Sequence, residues 1–101
     1  MNILHFLTNW FKSNCNDDWE HIYQIKIETL DNPGWHITID LMDTDLEGKN
    51  FQQVFLHNNE KDWMICRVEK NIFHGDGDLD KLEKILEIFK NWQEENSGEV
   101  N

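Results

Sequence analysis

The chain has 101 residues, and 20 acidic residues against 9 Lys and Arg give it a formal net charge of −11. Nucleic acid and anionic membranes are therefore disfavoured as partners, because binding either one normally requires a basic surface. Apolar residues make up 39% of the chain and include five Trp and six Phe, which argues against disorder. We expect one domain over residues 1–101, with a small core and a flexible tail at 96–101.

The first predicted element is a helix over residues 2–14. Ile3, Leu7 and Trp10 recur at spacings of three and four residues, which places them on one helical face. The next run, "SNCNDD", is rich in turn-forming residues and ends the helix. The first residues lack the basic segment and cleavage site of a secretion signal, so we expect a cytoplasmic location.

Two alternating runs, at residues 20–30 and 35–41, predict a pair of half-buried strands. Between them, Asn32-Pro33-Gly34-Trp35 predicts a type II turn, with Pro33 in second position and Gly34 at positive φ in third. The two strands would therefore form an antiparallel hairpin. Residues 51–57 and 62–69 are the third and fourth predicted strands.

The run "HGDGD", residues 74–78, has the composition of a turn. Residues 79–95 then form the clearest amphipathic helix, with Asp78 as its N-cap. The expected class is α+β, in which a four-stranded antiparallel meander is packed against an N-terminal and a C-terminal helix.

Two cysteines, Cys15 and Cys66, form no metal-binding motif. We expect two buried free thiols in a reduced protein, and a single disulfide is the alternative.

No group of residues predicts catalysis, a cofactor or a metal ion. The carboxylates show no convergence, and no nucleophile has a suitable neighbour, so we expect no enzyme activity. Asp76, Asp78, Asp80 and Glu87 partly resemble a calcium loop, but Lys81 occupies its glycine position. Of the five scattered histidines, His36 and His57 could be cross-strand neighbours, yet two ligands do not make a zinc site.

The five tryptophans divide into two groups. Trp10, Trp63 and Trp92 fit core-facing positions and are interpreted as structural. Trp19 and Trp35 lie beside acids at element boundaries. Each could be an interface anchor surrounded by polar residues or a plug over the end of the core, and periodicity does not decide between them.

The run "CNDDWEHIYQIKIETLDNPGWHITIDL", residues 15–41, resembles the signature of the immunity protein 53 family. That signature combines Cys-x-x-Asp-Trp-Glu-His with Thr-Leu-Asp-Asn-Pro-Gly-Trp and Ile-Asp-Leu. The strand from Trp63 to Cys66 and the closing helix also agree, so the resemblance covers nearly the whole chain. Asp17 and Gln24 stand where the pattern has glycine, and the first change is expected to affect the turn before Trp19.

The resemblance implies a cytoplasmic immunity protein of a bacterial polymorphic toxin system. Such a protein binds and neutralises a cognate toxin domain stoichiometrically, without turnover. An acidic inhibitor suits a basic toxin, and because toxins that act on nucleic acid are often basic, a nuclease is the expected kind of target. The predicted toxin interface comprises Asp17, Asp18, Trp19, Glu20, Asp31, Asn32, Trp35, Asp40, Asp43 and Asp45. The alternative function is a small-ligand or metal-binding module that uses the acidic loops.

Overall fold

The computed structural model describes residues 2–97, which form three helices and five strands. The elements are α1 (Ile3–Asn14), α2 (Trp19–Ile22), β1 (Ile25–Leu30), β2 (Gly34–Asp40), β3 (Val54–Asn59), β4 (Asp62–Glu69), β5 (Ile72–Gly77) and α3 (Leu82–Glu95). The predicted α+β class is confirmed. Most of the predicted flexible tail, residues 98–101, lies outside the described residues. Among the helices described, none is long and apolar enough to cross a membrane.

The strands form one antiparallel sheet in the order β1-β2-β5-β4-β3. The predicted four-stranded meander is therefore wrong in strand number and in order, because residues predicted to be a turn form a strand between β2 and β4. The suggested pairing of His36 with His57 is wrong for the same reason. His36 lies opposite Glu28 and Asp76, whereas His57 lies opposite Trp63 in the edge strand β3, with β5 and β4 between the two histidines.

Strand β5 tolerates its turn-forming residues because its glycines face α3. Phe73 is fully buried on this face, and Gly75 and Gly77 follow it at the period of two that a strand requires. A Cβ atom on Gly75 would overlap Cγ2 of Ile85, and one on Gly77 would lie 2.8 Å from Cβ of Lys81. The missing side chains thus let α3 approach the middle of the sheet.

Helices α1 and α3 cover one face of the sheet. Trp10 and Trp92 belong to the core under these helices, as predicted, and Trp10 packs edge-on against Phe89 at 5.1 Å between ring centroids. Trp63 does not belong to that core. In β4 it is Met64 and Cys66 that are buried against the helices, so alternation turns Trp63 towards the opposite face, where it is half-buried.

The ends of the helices differ from the predictions in instructive ways. Helix α1 begins after Asn2, whose side-chain oxygen accepts hydrogen bonds from the backbone N–H of Leu4 at 2.8 Å and of His5 at 3.3 Å. Helix α3 begins three residues later than predicted, with Lys81 at the N-cap position. Asp78 is therefore not the N-cap, because it precedes a separate turn that leads into the helix.

The β1–β2 turn is not the predicted type II turn. Its Asn32–Pro33 peptide is cis, and Gly34 is not among the residues at positive φ. Gly34 is instead required by close packing, since a Cβ atom there would lie 2.6 Å from the carbonyl oxygen of Gly77. Upstream, β1 starts at Ile25 rather than at residue 20, because the short helix α2 occupies Trp19–Ile22.

Candidate functional site

The predicted interface residues fall at two opposite ends of the sheet. Strand β2 has seven residues, so its ends are about 20 Å apart at 3.3 Å per residue. We call residues 16–20 and 40–47 the loop end, and residues 31–35, 60–63 and 78–81 the turn end. The structure brings Asp17, Asp18, Trp19, Glu20, Asp40, Asp43 and Asp45 together at the loop end. Asp31, Asn32 and Trp35 lie at the turn end.

Trp19 holds the loop end together. Its side chain is only 3% exposed, and its indole N–H donates a hydrogen bond to the carbonyl oxygen of Met42 at 2.8 Å. The ring packs edge-on against Trp10 at 6.3 Å and against Phe11 at 5.1 Å between centroids. This geometry favours the corner plug over the exposed anchor, because a buried ring presents almost no surface to a partner.

Three loop-end carboxylates are occupied by hydrogen bonds from the protein itself. Asp45 accepts one from the indole N–H of Trp10 at 3.1 Å and one from the side-chain amide of Gln93 at 2.8 Å. Asp40 accepts one from the backbone N–H of Gln24 at 2.8 Å. Glu20 accepts hydrogen bonds from the backbone N–H groups of residues 16 and 17, both at 2.9 Å. Hydrogen bonds from its own N–H and from these two lower the pKa of Glu20.

The other predicted carboxylates of the loop end, those of Asp17, Asp18 and Asp43, point to solvent. Their backbone N–H groups are fixed by side chains of nearby residues, at 2.8 to 3.0 Å. All three residues are exposed, and within residues 2–97 their carboxylates accept no hydrogen bond. With Glu47, the two segments of the loop end hold seven acids and no Lys or Arg, whereas Lys49 and Lys70 lie in the adjoining segments. The loop end therefore presents fixed backbone and free negative charge.

Two loop-end residues, Asp17 and Asp43, have positive φ angles of 75° and 62°. This left-handed conformation is most easily adopted by glycine, and among other residues Asn and Asp adopt it most readily. The position of Asp17, at which the resemblance implies glycine, is thus one at which glycine would be unstrained.

Trp35 links two segments of the turn end. Its indole N–H donates to the carbonyl oxygen of Leu79 at 3.0 Å, which ties β2 to the segment that precedes α3. The ring is half-buried and packs against the edge of the core, so part of it remains accessible. Asp31 and Asn32 in the adjoining turn are exposed.

The turn end also contains a groove that the sequence analysis missed. Two cavities of about 210 and 420 Å³ share the lining residues Pro33, Glu60 and Lys61. The remaining lining residues are Asp78, Leu79 and Asp80 in one cavity, and Asn32, His57 and Trp63 in the other. The available signal was that acids accompany all three turns, in "LDNPG", "NNEKD" and "GDGDLD".

Asp78 supports the floor of this groove. It is 4% exposed and accepts hydrogen bonds from the backbone N–H of Trp63 and of Asp80, both at 2.8 Å, and from Nζ of Lys81 at 2.7 Å. Lys81 Nζ also lies 2.7 Å from the carboxylate of Asp62. Burial raises the pKa of Asp78. The hydrogen bonds lower it by more than burial raises it, so the pKa lies below its usual value. Asp78 is thus an ionised, internally paired group.

The calcium-like run does not assemble a site. Asp76 lies on the helix-free face of the sheet and contacts Nδ1 of His36 at 2.5 Å, whereas Asp78 is occupied at the turn end. Throughout residues 2–97, no three His, Cys, Asp or Glu side chains are grouped to hold a metal ion. The alternative of a metal-binding module therefore gains no support from the arrangement.

The two thiols differ in their surroundings. Cys66 is buried, and burial followed by the charge of Asp76 raises its pKa to about 12. Cys15 is exposed, so the prediction of two buried thiols is wrong for Cys15, which follows the end of α1. Both are free, and the alternative of a disulfide between them is wrong.

The fold and its surfaces define a small acidic α+β protein with charged residues concentrated at both ends of its sheet. The family model of Immunity protein 53 matches residues 4–94. Because this range covers most of the 101 residues, the chain belongs to the Immunity protein 53 family. The resemblance seen in residues 15–41 is confirmed, and membership indicates a toxin-neutralising role. No curated protein and no solved structure matches the chain.

Proposed function

We propose that this protein binds a cognate bacterial toxin domain stoichiometrically and occludes its active site or an adjoining surface. The observation that carries the proposal is family membership over residues 4–94. Inhibition by occlusion requires a complementary surface rather than a catalytic group. The protein would act in the cytoplasm, where a toxin produced by the same or a related cell has to be neutralised.

The loop end is the proposed primary contact surface. Asp17, Asp18 and Asp43 provide free carboxylates on a backbone that is already ordered, so little conformational freedom is lost on binding. The partner is proposed to be basic, and a nuclease domain fits because such toxins carry positive charge for their own substrate. The net charge of −11 would then accelerate encounter through electrostatic steering.

The remaining loop-end residues have a supporting role in this proposal. Trp19, Glu20, Asp40 and Asp45 fix the segments that carry the free carboxylates. At the turn end, Asn32 lines the groove, and with the neighbouring Asp31 and the accessible part of Trp35 it forms the proposed second contact surface.

The decisive experiment is a titration of the purified protein with the toxin domain encoded beside its gene. We expect a 1:1 complex in which toxin activity is abolished, with an association rate that falls as salt concentration rises. Failure to bind that toxin or to abolish its activity would contradict the proposal.

Charge-removing variants test the assignment to the loop end. The triple variant Asp17→Asn, Asp18→Asn, Asp43→Asn is compared with a control that removes three charges from α3, namely Glu83→Gln, Glu87→Gln, Glu94→Gln. We expect the loop-end variant to slow association by about tenfold at low salt and the α3 variant to have a much smaller effect. Equal effects of the two triples would mean that net charge acts without a defined loop-end contact.

A further inference from the structure

Strand β1 has an open hydrogen-bonding edge. Among the strands of residues 2–97, β1 pairs with β2 on one side and with no strand on the other. The backbone N–H of Asp40 donates to the carbonyl oxygen of Gln24 at 3.2 Å, which fixes the phase of that ladder. In an antiparallel pair, alternate residues bond to the partner, so the even-numbered residues of β1 face β2. Ile25, Ile27 and Thr29 therefore direct their backbone N–H and C=O groups away from the sheet.

The edge of β1 lacks the protection found at the opposite edge. Strand β3 has a register shift between His57 and Asn59, and such irregularities hinder further pairing. Residues Ile25–Leu30 of β1 contain no proline and pair with β2 in unbroken register. This edge can therefore accept another strand along its length.

Apolar surface accompanies the open edge. Ile27 lies on the helix side of the sheet, opposite the buried Ile37, yet it is 40% exposed. A groove of about 640 Å³ lies between α1 and β1, and Leu4 in its wall is 59% exposed. Ile22, just before β1, is 70% exposed.

We infer that a second copy of this chain pairs with β1 through its own β1, antiparallel, to form a continuous ten-stranded sheet in a twofold dimer. The two strands can form hydrogen bonds only in registers that pair residues whose backbone N–H and C=O groups point away from β2, namely Ile25, Ile27 and Thr29. Centring the pair on Ile27 satisfies this condition, with Ile27 opposite Ile27 of the second copy and Ile25 opposite Thr29. The two Ile27 side chains then contact each other beside the groove.

Charge complementarity favours this register and identifies the second copy as the occupant. On the helix-free side of the sheet, Lys26 would face Glu28 of the second copy, and the twofold axis creates this pair twice. Shifting the centre by one residue in either direction would place Lys26 opposite Lys26 or Glu28 opposite Glu28. Opposite charges directly across strands stabilise pairing, and like charges destabilise it. The inference is independent of toxin binding, because β1 carries none of the free loop-end carboxylates.

Charge exchange tests the register in solution by sedimentation velocity over a range of protein concentrations. Lys26→Glu places like charges opposite each other twice, and we expect it to weaken the dimer at least about tenfold. The double variant Lys26→Glu, Glu28→Lys recreates both opposite-charge pairs. Its dimer dissociation constant should return to within about threefold of the wild-type value. Melting curves followed by circular dichroism confirm that each variant is folded.

Crosslinking provides a second test in a Cys15→Ser background. Paired residues of this type have Cα atoms about 5.5 Å apart, within the range for a disulfide. Ile27→Cys should therefore give a covalent dimer on mild oxidation. Thr29→Cys is the matched control, since its copies would be separated by four residue steps, about 13 Å, and should stay monomeric.

Three results would overturn the inference. The first is a wild-type protein that remains monomeric at about millimolar concentration, a range in which weak association is detectable. The second is a dimer whose dissociation constant is unchanged by Lys26→Glu, or one that crosslinks through Thr29→Cys rather than Ile27→Cys. The third is a monomer whose toxin binding is weakened by Lys26→Glu, which would assign the edge to a strand of the toxin.

Discussion

Replacing Trp19 separates a structural role from a direct role in binding. Trp19→Ala removes a ring that is 3% exposed and packs against Trp10 and Phe11. Truncating a buried Trp to Ala typically destabilises a protein by about 3–5 kcal/mol. Small domains have a total stability of about 5–15 kcal/mol, so the variant should remain folded with a much reduced margin. With an m-value of about 2 kcal/mol/M, the urea midpoint should fall by roughly 1.5–2.5 M.

Trp19→Phe separates the contribution of packing to the free energy of unfolding from that of the hydrogen bond. A phenyl ring keeps much of the aromatic contact, but the carbonyl oxygen of Met42 loses the indole N–H that lies 2.8 Å away. Leaving a buried acceptor without its donor costs about 1–3 kcal/mol. We expect the Phe variant to lose about 1–3 kcal/mol, which corresponds to a midpoint shift of roughly 0.5–1.5 M.

The assay is urea denaturation followed by far-ultraviolet circular dichroism, together with toxin titration under conditions where each variant is folded. A structural role predicts large midpoint shifts and toxin affinity within about threefold of the wild type for Trp19→Phe. The reasoning is refuted if Trp19→Ala unfolds at the wild-type midpoint and loses toxin affinity, since Trp19 would then be a contact residue.

Four further residues give direct predictions. Asp78→Ala removes three hydrogen bonds and should lower the free energy of unfolding by about 2–4 kcal/mol in urea titrations. Folding lowers the pKa of Asp78, so the ionised carboxylate stabilises the folded state at neutral pH, and this stabilisation is lost as the pH falls below about 4. The melting temperatures at pH 7 and pH 3 should therefore differ less in Asp78→Ala than in wild type. Gly75→Ala should lower the melting temperature through an overlap with Ile85 worth about 1–3 kcal/mol, and an unchanged melting temperature would contradict the close approach of α3. A thiol reagent should label Cys15 in the native protein and Cys66 only after unfolding, as mass spectrometry of the labelled peptides would show.

Local periodicity predicted the elements whose residues all report the same pattern. Ile37 and Ile39 are fully buried at alternate positions of β2, and Ile85 and Phe89 are fully buried one turn apart in α3. In both elements the spacing of apolar side chains is the signal, and packing follows it. Helix α1 was found in the same way.

Strand β5 escaped prediction because its core-facing positions carry almost no side chain. After Phe73 those positions are Gly75 and Gly77, and His74 and Asp76 occupy the other face. Glycine and Asp normally indicate a turn, whereas here the glycines make room for a helix contributed by a later segment. The period of two was present in the sequence, but only the contact with α3 explains why glycine occupies the core-facing positions after Phe73.

The site was only partly predictable for a similar reason. The signature run placed acids at both boundaries of the β1–β2 hairpin, and the structure separates those boundaries by the length of a strand. The groove at the turn end is formed by three turns that are distant in sequence, so its residues could be gathered only once strand order was known. The placement of Trp63 failed because alternation identifies two faces without saying which one is covered.

The position of β5 has a consequence for the timing of synthesis. The middle strand of the sheet is the last strand to leave the ribosome, and α3, which covers it, comes later still. Residues 25–40 and 54–69 can form hairpins early, yet both lack their common neighbour until residues 72–77 emerge. At about 5–20 residues per second, the chain needs roughly 5–20 s to reach the end of α3. A cell that depends on this protein has to begin translating it at least that long before the toxin domain becomes active.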